Sequence, residues 1–168
     1  GIMNRRTTRV LVKSEEIMQT IKFKFPDFEV IENNDMGKLK PVEQAKWAYS
    51  MDVIISPHGQ QLINAAFIRQ CAAVIEVYPR DYLLPGFFLP YVNALNGVAI
   101  ALNDGENTRQ DMSKIREFGE RKVIRAQNIT LVDEVVEAFT FALEEINKCC
   151  RTLNETTPNE LEDSVCFK

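Results

Sequence analysis

No apolar run in the chain approaches the roughly 20 residues that a membrane-crossing helix needs, so no helical span is expected within it. A secretory leader is also missing: the opening, Gly1-Ile2-Met3-Asn4-Arg5-Arg6, passes straight into residues that read as structure. Such an opening is expected of a segment of a longer protein, whose targeting signals lie elsewhere. Positive charge is in short supply, with 20 Lys and Arg against 24 Asp and Glu. The net charge of -4 argues against a nucleic-acid binder, which carries an excess of cations on one face, but leaves room for one local cationic pocket. Histidine occurs once, as His58, and the four cysteines form no C-x-x-C pair, so no zinc constellation can be assembled. Asp104, Glu106 and Asp111 are too irregularly spaced for a metal loop, and no metal is expected. Cys71, among apolar neighbours, reads as a small core residue, while Cys149 or Cys150 can pair with Cys166 in an oxidising compartment.

What is present is a globular composition: 168 residues, 45% of them hydrophobic, enough for one domain with a substantial core. Short apolar runs alternate with amphipathic stretches, the pattern of βα units around a parallel sheet. Ile2-Met3, Phe28 to Ile31, Val53 to Ile55, Ala73 to Val77 and Val98 to Leu102 read as strands, and Val10 to Val12 as a short extended segment. Helices are expected from a Ser14 N-cap to about Phe25, from Pro41 to about Met51, from Gln60 to Gln70, and from Tyr91 to Asn96. Asp111 to Lys122 reads as helical. A long amphipathic helix follows, capped by Thr130 and carrying Val132, Val135, Val136, Phe139, Leu143 and Ile146 at three- and four-residue steps. The fold class is therefore α/β, a Rossmann-like parallel sheet with helices on both faces. Residues 1–150 form the domain and 151–168 a polar, poorly ordered tail.

In open α/β sheets, ligands bind beyond the carboxyl ends of the strands. Ser56-Pro57-His58-Gly59-Gln60 sits there as a strand-to-helix turn. Gly59 permits close backbone approach, the N–H groups of the following helix can receive phosphate oxygens, and His58 can donate to the same group. Read alone, Pro-His-Gly is equally a tight turn with a surface histidine. Arg5 and Arg6, with Arg9 behind them, lie at the carboxyl edge of the first strand, where a guanidinium can grip a phosphate; alone they read as a solvated basic terminus. Glu76, within an apolar strand, needs a partner, either a ribose hydroxyl pair or a structural hydrogen bond or ion pair. Asn64 lies one turn past Gln60 and Gln61, as a ligand contact or as a packing and capping residue.

Taken in order, these residues resemble glycosyltransferase family 61. The series is Asn4-Arg5-Arg6 with Arg9, Glu15-Glu16-Ile17, Glu43-Gln44, Asp52 to Gly59, then Leu62, Asn64 and Phe67, and Val74 to Pro79. It resembles the family's C-terminal half over about Ile2 to Leu102. The resemblance implies a GT-B fold whose C-terminal domain holds the donor. It also implies an inverting, metal-independent transfer from a UDP-GlcNAc or UDP-xylose type of donor to a glycan or protein acceptor in the endoplasmic reticulum or Golgi lumen. Arg5, Arg6, Ser56, His58, Gly59, Gln60, Asn64 and Glu76 would then line the donor site. The general base has no candidate and is expected in an N-terminal half. The chain departs from the family after His58-Gly59, where small residues are usual and Gln60-Gln61 stands instead. This departure, with the apolar Leu83 to Leu89 loop, motivates the alternative of a non-catalytic Rossmann-like interaction domain. The sequons Asn128-Ile129-Thr130 and Asn154-Glu155-Thr156 would permit N-glycosylation in a luminal protein.

Overall fold

The computed structural model describes residues 1–84, 86–105, 123–156 and 164–166. Five parallel strands form one sheet: β1 (Ile2–Met3), β2 (Glu32–Asn33), β3 (Val53–Pro57), β4 (Ala73–Tyr78) and β5 (Val98–Asn103), in the spatial order β2-β1-β3-β4-β5. Every residue of β1, β3 and β4 is buried, as continuous apolar runs require when helices cover both faces of a parallel sheet. The order reverses its winding direction beside β1. Right-handed crossovers then send α1 (Ser14–Lys24) to one face. They send α2 (Pro41–Ser50), the 3₁₀ helix Gln60–Phe67 and α3 (Leu89–Ala94) to the other. The long C-terminal helix α4 (Asp133–Thr156) joins α1 and packs along β3, β4 and β5. An α/β sheet of Rossmann-like arrangement, with helices on both faces, is what the sequence pattern predicted.

Several boundaries differ, each for a local reason. The expected strand from Phe28 to Ile31 is displaced to Glu32–Asn33. Phe28 is instead taken up by an aromatic cluster, 6.3 Å from Phe25 and 5.8 Å from Phe139 of α4 between ring centroids, so its apolarity reflects packing on a helix. Helix α1 begins at Ser14 rather than after it, with Lys13 in the cap position and no side-chain cap bond. Glu15 and Glu16 still occupy its first turn and Lys22 and Lys24 its last, where they complement the helix dipole. The expected α-helix from Gln60 to Gln70 is a 3₁₀ helix that stops at Phe67. Asn64 Nδ2 donates to its own chain at Gln61 O (2.8 Å), a local bond that competes with α-helical geometry. Arg69 then turns back to Asp52 (2.7 Å). Thr130 caps nothing; its N–H and hydroxyl both bind the Asp104 carboxylate, at 2.7 and 3.2 Å. The expected helix from Asp111 to Lys122 lies outside the described residues.

The cysteines close the C-terminal side. Cys71 is a fully buried core residue, as its apolar neighbours suggested, and is also bonded to Cys149; Cys150 is bonded to Cys166. The adjacent pair on α4 thus ties that helix both to the turn before β4 and to the chain beyond the helix. The boundary expected at residue 150 falls inside α4, and Ser164–Cys166 is held by the Val165 N–H to Gln70 O bond (3.1 Å) as well as by the disulfide. Val165 is buried. Both bonds restrict the unfolded chain, the first across a separation of 78 residues and the second across 16. Replacing Cys150 and Cys166 together by Ser is expected to lower the unfolding free energy by about 3 kcal/mol. Replacing Cys71 and Cys149 is expected to cost about 4 kcal/mol. Denaturant titration of the two double variants checks both the size and the order.

Candidate functional site

The reversal of winding opens a crevice between the carboxyl ends of β1 and β3, the usual ligand position in such sheets. Its first wall is the loop from Arg5 to Val10, and one side chain closes that loop. Asn4, buried at the end of β1, donates from Nδ2 to Leu11 O (3.0 Å) and to Glu32 Oε1 (2.8 Å). Its Oδ1 accepts from the N–H groups of Arg5 (2.8 Å) and Leu11 (2.9 Å). A carboxamide carries two donors and an acceptor on separate atoms, so it satisfies both Leu11 groups and still binds Glu32 and the Arg5 N–H. The loop between these anchors turns through Arg9, which adopts a left-handed conformation with φ of 55°.

Inside the loop, Arg5 Nε donates to Thr8 O (2.8 Å), which points its guanidinium across the crevice to the second wall. There the chain passes from β3 through Pro57, His58 and Gly59. A Cβ on Gly59 would coincide with Arg5 Nη1 and lie 3.7 Å from Arg9 Nη2. The absent Cβ matters here for space rather than for dihedral angle: Gly59 is extended at φ 165° and ψ 171°, and a side chain would displace the tip of Arg5. His58 N–H donates to Val77 O (2.8 Å); the first bond of the 3₁₀ helix is Leu62 N–H to Gly59 O (2.9 Å), and the N–H groups between them are the donors that a helix start leaves without helical partners.

Arg9 is the unusual group. Only 6% of its surface is exposed, and its Nε has no hydrogen-bond partner among the described residues. Burial, reinforced by neighbouring Arg5 and Arg125 and opposed by the Tyr82 phenol, lowers its pKa to about 10. Burial and Arg125 likewise lower that of Arg5. No carboxylate is paired with either guanidinium among the described residues, whereas Arg6 and Arg69 have Asp35 and Asp52. A buried cation surrounded by cations is costly and calls for an anion.

His58 forms the floor. Its Nδ1 lies 2.5 Å from Oε1 of the fully buried Glu76, which neighbours it from β4. Glu76 therefore has a structural partner within the fold; it orients the ring and leaves Nε2 on the opposite side. Tyr78 stacks on the imidazole at 4.9 Å between centroids, with Tyr82 at 5.4 Å and Phe88 at 5.5 Å around it. Tyr78 is buried beside the Glu76 carboxylate, and both effects push its phenol pKa up. Its hydroxyl and Glu76 Oε2 have no partner of hydrogen-bonding geometry among the described residues. Sequence reasoning missed this aromatic box, whose members stand in a strand and two loop segments with no spacing to connect them.

The other expected residues divide. Ser56 is buried and donates to Met3 O (3.1 Å), so it joins β3 to β1 rather than facing the crevice. Gln61, the departure from small residues, spans the same seam through Nε2 to Met3 O (2.7 Å) and Ser56 Oγ (2.9 Å). Asn64 is buried and bonded to Gln44 (3.1 Å) and Gln61, a packing residue away from the opening. Gln60 is exposed at the helix start. Arg6 turns outward to Asp35 (3.2 Å), on the rim of a cleft of about 240 Å³ between the Asn4–Thr7 stretch, the Asn34–Gly37 turn and Gln61. Arg5, Arg9, His58 and Gly59 are thus brought together; Arg6, Ser56, Gln60, Asn64 and Glu76 surround or support them. A larger cavity, about 440 Å³, lies at the opposite end of the strands, beside Gly1, Met51 and Val53 at the starts of β1 and β3. Cys71, Cys150 and Cys166 lie close enough to hold a metal, but all three are in disulfides. Of Phe87-Phe88-Leu89, only Phe87 is exposed, which reduces the expected apolar patch to one ring.

Two substitutions test this reading of the walls. Asn4→Ala orphans the buried Leu11 groups and is expected to cost about 2–3 kcal/mol in denaturant unfolding. Arg9→Met keeps the apolar stem and removes the buried charge. It is expected to raise Tm by roughly 2–4 °C, the shift of about 1 kcal/mol in a domain of this size, where an ordinary core substitution lowers it. Thermal melting followed by circular dichroism checks the sign.

No curated protein sequence matches the chain. The family model described as Glycosyltransferase 61 matches residues 1–75, which contain β1 to β3, the Arg5–Arg9 loop and the His58-Gly59 turn, and end one residue before Glu76. Over that stretch, 75 of the 168 residues, the chain is similar to glycosyltransferase family 61.

Proposed function

We propose that the chain is the donor-binding domain of an inverting glycosyltransferase that uses a UDP-sugar of the UDP-GlcNAc or UDP-xylose type. The observation that carries this reading is the pair of guanidinium groups, Arg5 and Arg9, converging on the side-chain-free Gly59 without a carboxylate partner. A diphosphate supplies the missing charge. In the transfer, an acceptor hydroxyl oxygen attacks the anomeric carbon from the face opposite the leaving group. The bond from that carbon to the β-phosphate oxygen breaks, and the acceptor proton passes to a base. Negative charge grows on the departing UDP, where Arg5, Arg9 and the His58-Gly59 turn stabilise it most strongly. Cationic side chains perform there the task that a divalent cation performs in metal-dependent transfer. The packed rings around His58 keep water from screening the interaction. The base and the acceptor, a glycan or a protein, belong to a second, N-terminal half of the catalytic region.

Two disulfides in so small a fold support folding in an oxidising lumen, the endoplasmic reticulum or Golgi. Asn128 and Asn154, both exposed, stand ready for N-glycosylation there. The Gln61 bridge favours one other reading, an interaction domain without transfer activity, because its amide occupies the seam at the crevice floor.

Titration with UDP, UDP-GlcNAc and UDP-xylose, followed by amide NMR, separates the two. Saturable shifts centred on Arg5, His58 and Gly59 are expected, and their absence with all three ligands overturns the donor reading. Gly59→Ala displaces the tip of Arg5 but suits an extended backbone. It is therefore expected to leave Tm within about 2 °C while weakening UDP binding at least tenfold, about 1.4 kcal/mol.

A further inference from the structure

The family-matched stretch ends at residue 75, yet the wall of the crevice is completed from much later in the chain. Residues 123–130 run back across the sheet end as a strap. Ile129 N–H donates to Val10 O (2.8 Å), Val12 N–H to Ile129 O (3.1 Å), and Asn128 Oδ1 accepts from Val10 N–H (3.2 Å). Leu11 and Ile129 form an isolated parallel bridge, and both are fully buried. Behind the bridge, Thr130 is tied to Asp104 after β5. The strap is therefore fastened at one end to the arginine loop and at the other to the edge of the sheet. A helical turn precedes the fastening, closed toward it by Gln127 N–H to Ile124 O (3.3 Å), and that turn carries Arg125.

Arg125 is exposed, and its charge acts on both Arg5 and Arg9. None of the three has a carboxylate partner among the described residues, although the chain as a whole is acidic at -4. Like charges gathered in this way repel, and their juxtaposition is stable only when an anion lies between them or enough water screens them. Arg9, which is buried and has an unpartnered Nε, leaves little room for screening. We infer that Arg125 is a further ligand-binding residue, the third arm of an arginine clamp that the strap delivers to the Arg5–Gly59 crevice, and that it selects a diphosphate over a monophosphate. Three guanidinium groups match the charge of the released nucleoside diphosphate, about -3 at neutral pH, better than the charge of about -2 on a monophosphate. The inference rests on the donor-binding reading for the nucleotide but not for the diphosphate.

Calorimetric titration of the wild type, Arg125→Ala, Arg125→Lys and Arg5→Ala with UDP, UMP and inorganic pyrophosphate tests it. The exposed position makes Arg125→Ala neutral for folding, which an unchanged Tm verifies. Arg125→Ala is expected to weaken UDP and pyrophosphate about tenfold and UMP less than threefold, with Arg125→Lys recovering part of the loss. Equal loss for UDP and UMP overturns the selectivity, and no loss for either overturns the clamp while Arg5→Ala keeps the donor reading under test. Pyrophosphate binding that depends on Arg125, without any gain from uridine, upholds the clamp and overturns the UDP-sugar reading. Binding of neither UDP nor pyrophosphate by the wild type overturns both.

Discussion

The Asn4 carboxamide is the interaction on which the site depends. It satisfies Leu11 on both backbone groups, and Leu11 is in turn the bridge partner of Ile129. One side chain therefore sets the mouth of the Arg5–Arg9 loop, the seat of the strap and the end of β1. The loop has no secondary structure of its own to hold its arginines toward Gly59. Without the two anchors at Leu11, its shape would be left to solvent, and the convergence of charge on the crevice would be lost. Ser56 and Gln61 do related work at the next strand, where their hydrogen bonds to Met3 O keep β1 beside β3 although β1 has only two paired residues.

A second constraint runs against stability. The core around Arg9 and Arg5 would be more stable with apolar side chains, since buried guanidinium groups lose hydration and repel each other. The structure accepts this strain at the crevice and offsets it elsewhere, through the fully buried β3 and β4 strands and the two disulfides on α4. Glu76 shows the contrasting arrangement. Its carboxylate is just as buried, but the His58 ring meets it, so it orients a neighbour instead of awaiting a ligand. The difference is the charge of the neighbours: Glu76 meets the His58 ring, whereas Arg9 faces two further guanidinium groups with only the Tyr82 phenol opposing them.

Much of the fold was legible from local pattern. The βα alternation, the apolar runs of β3 and β4 and the three- and four-residue steps of α4 reflect periodicities that a single segment carries by itself. Boundaries failed where a distant contact decided them, as with Phe28, whose ring belongs to α4 and not to a strand. The end of the 3₁₀ helix after Gly59 was hidden for the same reason, since Asn64 also binds Gln44 and Arg69 binds Asp52, both from the preceding helix and strand region.

For the site, the sequence by itself determined which chemistry was available: a cationic cluster near the first strand, one histidine beside a glycine at a strand end, and one carboxylate in an apolar strand. It also contained the ordered series that resembles glycosyltransferase family 61, whose model matches residues 1–75. Only the tertiary structure decided how these groups divide. It turned Arg6 outward to Asp35 and Arg9 inward, assigned Glu76 to His58, and brought Arg125 back to a loop more than a hundred residues earlier, a separation of 118 between Val10 and Asn128. The physical reason is that charge and side-chain type are local properties, whereas burial and the presence or absence of a partner are set by whichever segments the packed sheet places side by side.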